Sequence, residues 1–234
     1  MSEETSTKLM QLLLQHTGEK QSTFNINVSK IGQCIRKTYY EINNTPPDED
    51  LLDTYNKDKF AMAFGELFEL YITRLFSELG IPNHKEYVYD RKLKITGITD
   101  PIIKLDGQEI ITEIKATHGD HYQVLYDQVR YGNEPEIYKP QLQGYLWLLP
   151  KTDYGMYIIG NRGWRRKDKL PPIFLHSAQR DKVWYKENFE GRLPVLNEHL
   201  DNNTLPEREY NEPDRYPCSY CQFQVRCYGK DSGK

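Results

Sequence analysis

Asp100, Glu113 and Lys115 are the residues whose types and spacing could do chemistry together. They flank Asp106-Gly107, a dipeptide that favours a tight turn between two β-branched runs. A two-residue turn pairs Leu105 with Gln108, and counting outward sets Asp100 opposite Glu113. Directly opposed residues have Cβ atoms roughly 5 Å apart. Lys115 lies two residues beyond Glu113 and therefore points to the same face. Opposed carboxylates repel unless something compensates, and their oxygens suit Mg²⁺ or Mn²⁺. The competing reading is a solvated charged face on a surface hairpin, the usual fate of strand charges. Pro101 cannot donate to a ladder, so pairing near Asp100 is expected to fray or bulge.

Sulfur supplies a second constellation. Cys218, Cys221 and Cys227 fall within ten residues, and Cys34 is the remaining cysteine. Such clustering argues for metal ligation over disulfides in an intracellular chain. The set matches Zn(Cys)₄ or a 4Fe–4S cluster. A zinc ribbon usually presents two CxxC knuckles, whereas one remote thiol plus three clustered ones suits a cubane. Either metal would clip the C-terminal tail onto the N-terminal helix, a structural role.

These groups need elements to position them. The chain has 234 residues, 38% hydrophobic and 28% charged, enough for one embellished domain or two small ones. No apolar run approaches the roughly 20 residues of a membrane helix. The acidic start, Met1-Ser2-Glu3-Glu4, lacks a signal-peptide pattern, so the expectation is a cytoplasmic protein without membrane partners. A net charge of −3 leaves nucleic-acid binding to local patches. The pattern predicts a short helix between Met1 and Gln21, then one from Ser29 carrying Ile31, Cys34, Ile35, Thr38 and Tyr39 on a stripe. A long amphipathic helix should present Phe60, Phe64, Leu67, Phe68, Tyr71, Leu75 and Leu79, ending at Gly80. One strand is expected over 87–95, then the hairpin, a loop with an irregular helix over 118–139, and a helix over 141–149. A buried strand over 154–159, a short one over 173–176 and a final helix over 178–200 complete the core. The order suggests an α/β sandwich with a short, mixed sheet.

Asn161–Lys169 concentrates Arg162, Arg165, Arg166, Lys167 and Lys169 around Trp164. Cations with an interleaved aromatic suit a single nucleic-acid strand, although a solvated loop reads the same way. His118, His121, Tyr122, Tyr126 and Arg130 could line a channel beside Lys115.

Gly97-x-x-Asp100, Glu113-Ile114-Lys115, Gln141-x-x-x-Tyr145 and the split cysteine set, taken in this order, resemble the PD-(D/E)XK nucleases of the RecB type. Within them the chain is most similar to the CRISPR-associated iron–sulfur exonuclease family, the fourth Cas protein. The resemblance runs from about Ser29 to Cys227. It implies a restriction-endonuclease-like α/β core over 56–200, preceded by a helical segment over 1–55 and followed by a cysteine segment over 201–234. An iron–sulfur clip formed by Cys34, Cys218, Cys221 and Cys227 would join the two ends.

The resemblance also implies roles. Asp100, Glu113 and the Ile114 carbonyl would ligate Mn²⁺ or Mg²⁺, and Lys115 would position water and stabilise phosphate charge. Gln141 and Tyr145, on one helix face, would border the site and help hold DNA, with Arg162, Trp164, Arg165, Arg166 and Lys167 beyond them. Where the family usually has a metal-binding histidine in GxxxH, this chain has Glu69. A carboxylate there can still ligate Mg²⁺ or Mn²⁺. The implied activity is metal-dependent hydrolysis of single-stranded DNA ends or overhangs, often 5′ to 3′, with CRISPR integrase proteins as partners in spacer-precursor processing. Competing readings are a phage or recombination nuclease, a non-catalytic iron–sulfur DNA-binding subunit, and a zinc-stabilised interaction module.

Overall fold

The structure, a computed structural model, describes residues 25–48 and 52–229, and of residues 52–61 only the backbone. The helix expected between Met1 and Gln21 lies outside the described residues. The elements in chain order are β1 (Ile26–Asn27), α1 (Ile35–Ile42), α2 (Leu52–Glu78), β2 (Asn83–His84), β3 (Tyr87–Asp90), β4 (Ile95–Ile98), β5 (Ile102–Leu105) and β6 (Gln108–Thr117). There follow α3 (Gly119–Arg130), α4 (Lys139–Leu148), β7 (Tyr154–Asn161), β8 (Ile173–Gln179), α5 (Lys182–Tyr185), α6 (Leu193–Asn202) and α7 (Gln224–Tyr228). A π-helical stretch, Lys186–Arg192, joins α5 to α6. Among the described residues no helix is long and apolar enough to cross a membrane.

The chain folds as two compact units, one holding residues 25–33 and 65–198, the other the described parts of 34–64 and 199–234. The first unit carries a five-stranded sheet of order β2-β5-β6-β7-β8. β6 and β7 run parallel and the other neighbours antiparallel, so the sheet is mixed, in keeping with the expected α/β class. Alternation along β6 sends Ile114 to one face and Glu113 to the other. On the first face Ile114 and Ile158 pack with Ile72, Phe68, Leu75 and Phe76 of α2. On the second, α4 lies close enough that a Cβ at Gly155 would strike Leu142.

A smaller sheet of order β1-β4-β3 leads into the site. Here the single strand expected over 87–95 proves to be a hairpin: Tyr87–Asp90 turns through Lys94, at φ +56°, into Ile95–Ile98. Asp90 Oδ1 accepts a hydrogen bond from Leu93 N at 2.8 Å and closes that turn. Gly97 must be glycine, because a Cβ there would lie 2.8 Å from both Tyr145 Oη and Val28 Cγ2.

Other expectations are corrected by local chemistry. The helix predicted from Ser29 is instead a 3₁₀ turn, Val28–Lys30, whose cap is Asn27, and Gly32 at φ +84° separates it from α1. The helix expected from Ala178 starts later, because Ala178 and Gln179 remain in β8. Asp181 accepts from Val183 N and Trp184 N at 2.9 and 3.0 Å and caps α5. The apolar stripe of α2 is rotated: Phe64, Leu67, Tyr71 and Leu79 are exposed, and Phe68, Ile72, Leu75 and Phe76 face the sheet.

In the second unit α1 packs against the tail. The Tyr40 ring lies 5.1 Å from that of Phe223. The Asp48 carboxylate accepts from Val225 N at 2.7 Å, in the first turn of α7, where a negative charge is favoured.

Gly97→Ala and Gly107→Ala separate crowding from backbone strain. Gly107, at φ +83°, has open space around it, so its substitution is expected to destabilise by about 1–2 kcal/mol from left-handed strain alone. Gly97→Ala is expected to destabilise by about 1–3 kcal/mol from overpacking. It should also depress any activity that depends on Asp100, three residues away, whereas Gly107→Ala should not. Urea denaturation and the cleavage assay below check both.

Candidate functional site

The Asp106-Gly107 turn forms as its chemistry dictates, with φ of +50° and +83°, and pairs Leu105 with Gln108. The ladder continues to Ile102↔Ile111 and stops there. Beyond it Pro101 contributes only its carbonyl, which accepts from Thr112 N at 3.3 Å. The Asp100 carboxylate then takes the next backbone donor, Ile114 N, at 2.7 Å. The fray expected at Pro101 thus turns the Asp100 side chain toward β6.

Glu113 has 0% of its surface exposed, and apart from Lys115 its carboxylate has no hydrogen-bond partner among the described residues. The group against it is Lys115 Nζ, in ion-pair contact with Glu113 Oε1. The same ammonium lies 3.8 Å from Asp100 Oδ2 and 3.3 Å from the Ile114 carbonyl, to which it donates. The three ligand atoms that the sequence nominated therefore converge on one cation, supplied by the chain itself. Burial lifts the Glu113 carboxyl to about 8, with Lys115 opposing and Asp100 adding to the rise. Asp100 is raised by burial too, opposed by Lys115 and reinforced by Glu69. Burial pulls Lys115 down, but Glu113 and Asp100 outweigh it and hold the amine well above its usual value. Lys115 is thus a fixed cation, unsuited to be a general base.

Glu69, on α2, contributes charge rather than contact. Its Oε1 pairs with Lys85 Nζ, and its field raises both Asp100 and Glu113. Tyr145 is buried, and its hydroxyl donates to the Ile98 carbonyl at 2.6 Å. That bond, with the close approach at Gly97, fixes the strand end that leads to Asp100. Gln141 is half-buried in the first turn of α4. Sequence reasoning missed Tyr138, whose ring centre lies 6.0 Å from Lys115 Nζ. It also bonds Thr117, which bonds His121 Nδ1 at 3.1 Å. The signal was present: Tyr138 immediately precedes the Lys139-Pro140 start of α4.

Arg162, Trp164, Arg165, Arg166 and Lys167 are exposed in the loop after β7. Arg162 N donates to the Thr117 carbonyl at 2.7 Å, which joins this loop to the end of β6. Trp164 Nε1 donates to the Leu170 carbonyl at 3.0 Å, and Arg165 N to Asp168 Oδ2 at 2.7 Å, so the loop is shaped. Tyr122, expected in a channel, is instead core: it is buried, it packs on Phe174, and its hydroxyl donates to the Pro171 carbonyl at 2.6 Å. Tyr126 packs on the same ring.

The four cysteines all belong to the second unit and are free thiols. Burial raises Cys34 to about 11. Cys221 feels Cys218 and Cys227 electrostatically, and Arg36 approaches Cys227 Sγ at 3.7 Å. Among the described residues no group of three or more His, Cys, Asp or Glu side chains is gathered as metal ligands. The thiols do not form a cage; Tyr40 of α1 packs on Phe223 of the tail, and Asp48, beyond α1, caps α7. At the hairpin the donor set is two carboxylates and a carbonyl; buried carboxylate oxygens whose shared partner is one ammonium fit a divalent ion.

A family model for the PD-(D/E)XK nuclease superfamily matches residues 29–228. Among solved structures, the crystal structure of SSO0001 is similar over 98% of both chains, with TM-score 0.54 and 18% identity. An alkaline exonuclease from Laribacter hongkongensis, LHK-Exo, matches 78% of this chain and 90% of its own, with TM-score 0.53 and 13% identity. LHK-Exo in complex with dAMP gives TM-score 0.53 and 14% identity over 77% and 89% of the two chains. No curated protein matches the sequence.

The raised Glu113 carboxyl has a consequence for stability. Its folded value of about 8 exceeds the ordinary 4.5, so the folded state holds the proton more tightly. The stabilisation is complete below about 4.5 and is lost as pH rises through about 8. In metal-free protein, wild-type stability relative to Glu113→Gln is expected to fall between about pH 5 and 9, read by thermal melts. A flat difference would exclude the proton from Glu113.

Proposed function

The chain belongs to the PD-(D/E)XK nuclease superfamily, and on that premise we propose that it is a Mg²⁺- or Mn²⁺-dependent deoxyribonuclease that hydrolyses single-stranded DNA ends or overhangs. The observation that carries the reading is the convergence of Glu113 Oε1, Asp100 Oδ2 and the Ile114 carbonyl on one cation in a buried site. A bound divalent ion would supply Lewis acidity toward a phosphoryl oxygen and lower the pKa of a water. Asp100, Glu113 and the Ile114 carbonyl would hold it. Lys115 keeps its proton and offers positive charge to the phosphate. Tyr145 and Gly97 fix the approach to Asp100. Gln141 borders the site from α4. Arg162, Arg165, Arg166 and Lys167 take phosphates, and Trp164 offers a stacking face.

Exonuclease action draws support from the fold shared with LHK-Exo, named as an alkaline exonuclease. A 5′ to 3′ direction, and spacer-precursor processing beside CRISPR integrase proteins in the cytoplasm, rest on the motif resemblance. The non-catalytic reading is favoured by one observation: Glu69 pairs with Lys85, so the carboxylates do not form a three-member ligand group.

The deciding experiment is cleavage of end-labelled single-stranded DNA with Mn²⁺, alongside Glu113→Ala. We expect wild-type cleavage that falls to background in the variant and in EDTA, with mononucleotide released first from a 5′ label. Intact substrate in both, despite DNA binding, would favour the accessory-subunit reading or a nuclease that acts only within its complex.

We further propose that Cys34, Cys218, Cys221 and Cys227 hold a structural 4Fe–4S cluster, which requires the thiols to draw together from the arrangement described. Its support is the donor set and its confinement to one unit. Anaerobically purified protein should show brown charge-transfer absorbance and about four irons per chain, and should melt several degrees lower once the cluster is removed. Colourless protein with one zinc would replace it by a Zn(Cys)₄ site.

A further inference from the structure

The β3–β4 hairpin presents a surface that neither the carboxylate site nor the loop after β7 uses. Its inward positions belong to the core: Val88 and Ile95 are buried, and Gly97 lies against Tyr145. Alternation turns Tyr87 and Tyr89 outward, with Ile98 paired opposite Tyr87. These three are 65%, 53% and 59% exposed. Thr96 donates to the Tyr87 hydroxyl at 3.0 Å, which lays that ring across the hairpin. β3 is an edge strand, where proteins normally avoid exposed apolar surface unless it is used.

Charge and continuity indicate the use. At the tip Arg91 and Lys92 are exposed and enter no ion pair among the described residues. At the other end Ile98 stands two residues before Asp100. With a rise of about 3.3 Å per residue, the Tyr87–Ile98 pair lies roughly 7 Å along the chain from Asp100. The tip lies roughly 20 Å away on the same measure. A face of tyrosines that ends in two cations offers stacking surfaces and phosphate partners in the order a polynucleotide presents bases and phosphates.

We propose that this hairpin is a single-strand track: Tyr87 and Tyr89 stack on unpaired bases, and Arg91 and Lys92 hold the phosphates beyond them. A strand with its scissile phosphate at Asp100 and Glu113 runs outward along the hairpin. Duplex DNA has no free base faces to offer there. The inference rests on the nuclease reading and extends it to the substrate.

The test measures binding of the full chain in EDTA, where no cleavage intervenes. The probes are fluorescently labelled oligothymidylates of about 4 to 16 nucleotides, with a blunt duplex as control. Affinity should rise with length in the wild type. Tyr87→Ala/Tyr89→Ala should bind the longest probe roughly tenfold or more weakly and lose the length dependence. Tyr87→Phe/Tyr89→Phe should retain both. Arg91→Glu/Lys92→Glu should weaken binding and lower the salt slope by about 1.4. Tyr89→Ala alone serves if loss of the Tyr87–Thr96 bond unfolds the double variant. Unchanged length dependence in a folded alanine variant overturns the track, as does an equal loss on duplex. A shift in self-association with unchanged DNA affinity assigns the surface to a protein partner and also overturns it. Wild-type protein that neither binds nor cleaves DNA removes the nuclease reading along with the track. Cleavage and binding shared equally by wild type and variant remove the track alone.

Discussion

A carboxylate with no exposed surface and a single partner, Lys115, is the constraint on which the site depends. Glu113 sits on the α4-facing side of β6, opposite in direction to Ile114, whose side chain closes the apolar face against α2. Burying an unpaired charge is expensive, so the fold must supply a cation or a proton. It supplies Lys115, two residues along the same face. Asp100 enters the arrangement because Pro101 ends the ladder, which leaves Ile114 N to bond the Asp100 side chain. One residue that cannot donate therefore converts a plain hairpin into a site with two carboxylates and a carbonyl around one positive charge.

The rest of this unit holds that arrangement still. Tyr145 reaches from α4 to the Ile98 carbonyl, and Gly97 gives its ring room. Beside Glu113 in register is Tyr157, also buried, whose hydroxyl donates to Glu134 at 2.7 Å. Gln143 donates to the same carboxylate and to the Gln179 carbonyl, and Lys139 bridges Glu134 to Asp181. This network satisfies its own members, so it rigidifies the layer under the site without competing for its charges.

What the sequence made legible was local. Asp106-Gly107 dictated its turn, and the turn dictated the register, because both depend on backbone preferences of adjacent residues. The presence of α4 and β7 followed from proline and β-branched runs in the same way, with α4 starting two residues earlier and β7 ending two residues later than expected. The rotated stripe of α2 was illegible, because apolar residues occupy both of its faces. The choice of Phe68 over Leu67 depends on Gly160, which leaves a slot for that ring across the sheet. Tyr138 and Tyr145 were hard to place for a related reason. Helical spacing put Gln141 and Tyr145 on one face, but only the tertiary approach to Gly97 spends the Tyr145 hydroxyl on support. The Tyr87/Tyr89 alternation was readable as period two, but a strand drawn through 87–95 hid the turn at Asp90–Lys94 and with it the cationic tip.

The charge balance of the site bears on its chemistry. Asp100, Glu113 and Glu69 carry three negative charges when ionised, against the positive charges of Lys115 and Lys85. Burial, reinforced by the fields of Asp100 and Glu69 and opposed by Lys115, lifts Glu113 to about 8. A phosphodiester would bring one more negative charge to the same place. The cations of the β3–β4 tip and of the loop after β7 can neutralise outer phosphates. A phosphate would approach only once that excess negative charge is compensated. A proton on Glu113 compensates it at the expense of the donor oxygens, which then have nothing to orient. A divalent ion held by Asp100 and Glu113 would compensate it and would favour the ionised form of both carboxylates. The buried charge that would be a defect in a plain hairpin is therefore what the proposed metal-dependent hydrolysis would use, since that chemistry needs negative charge of this kind at this position.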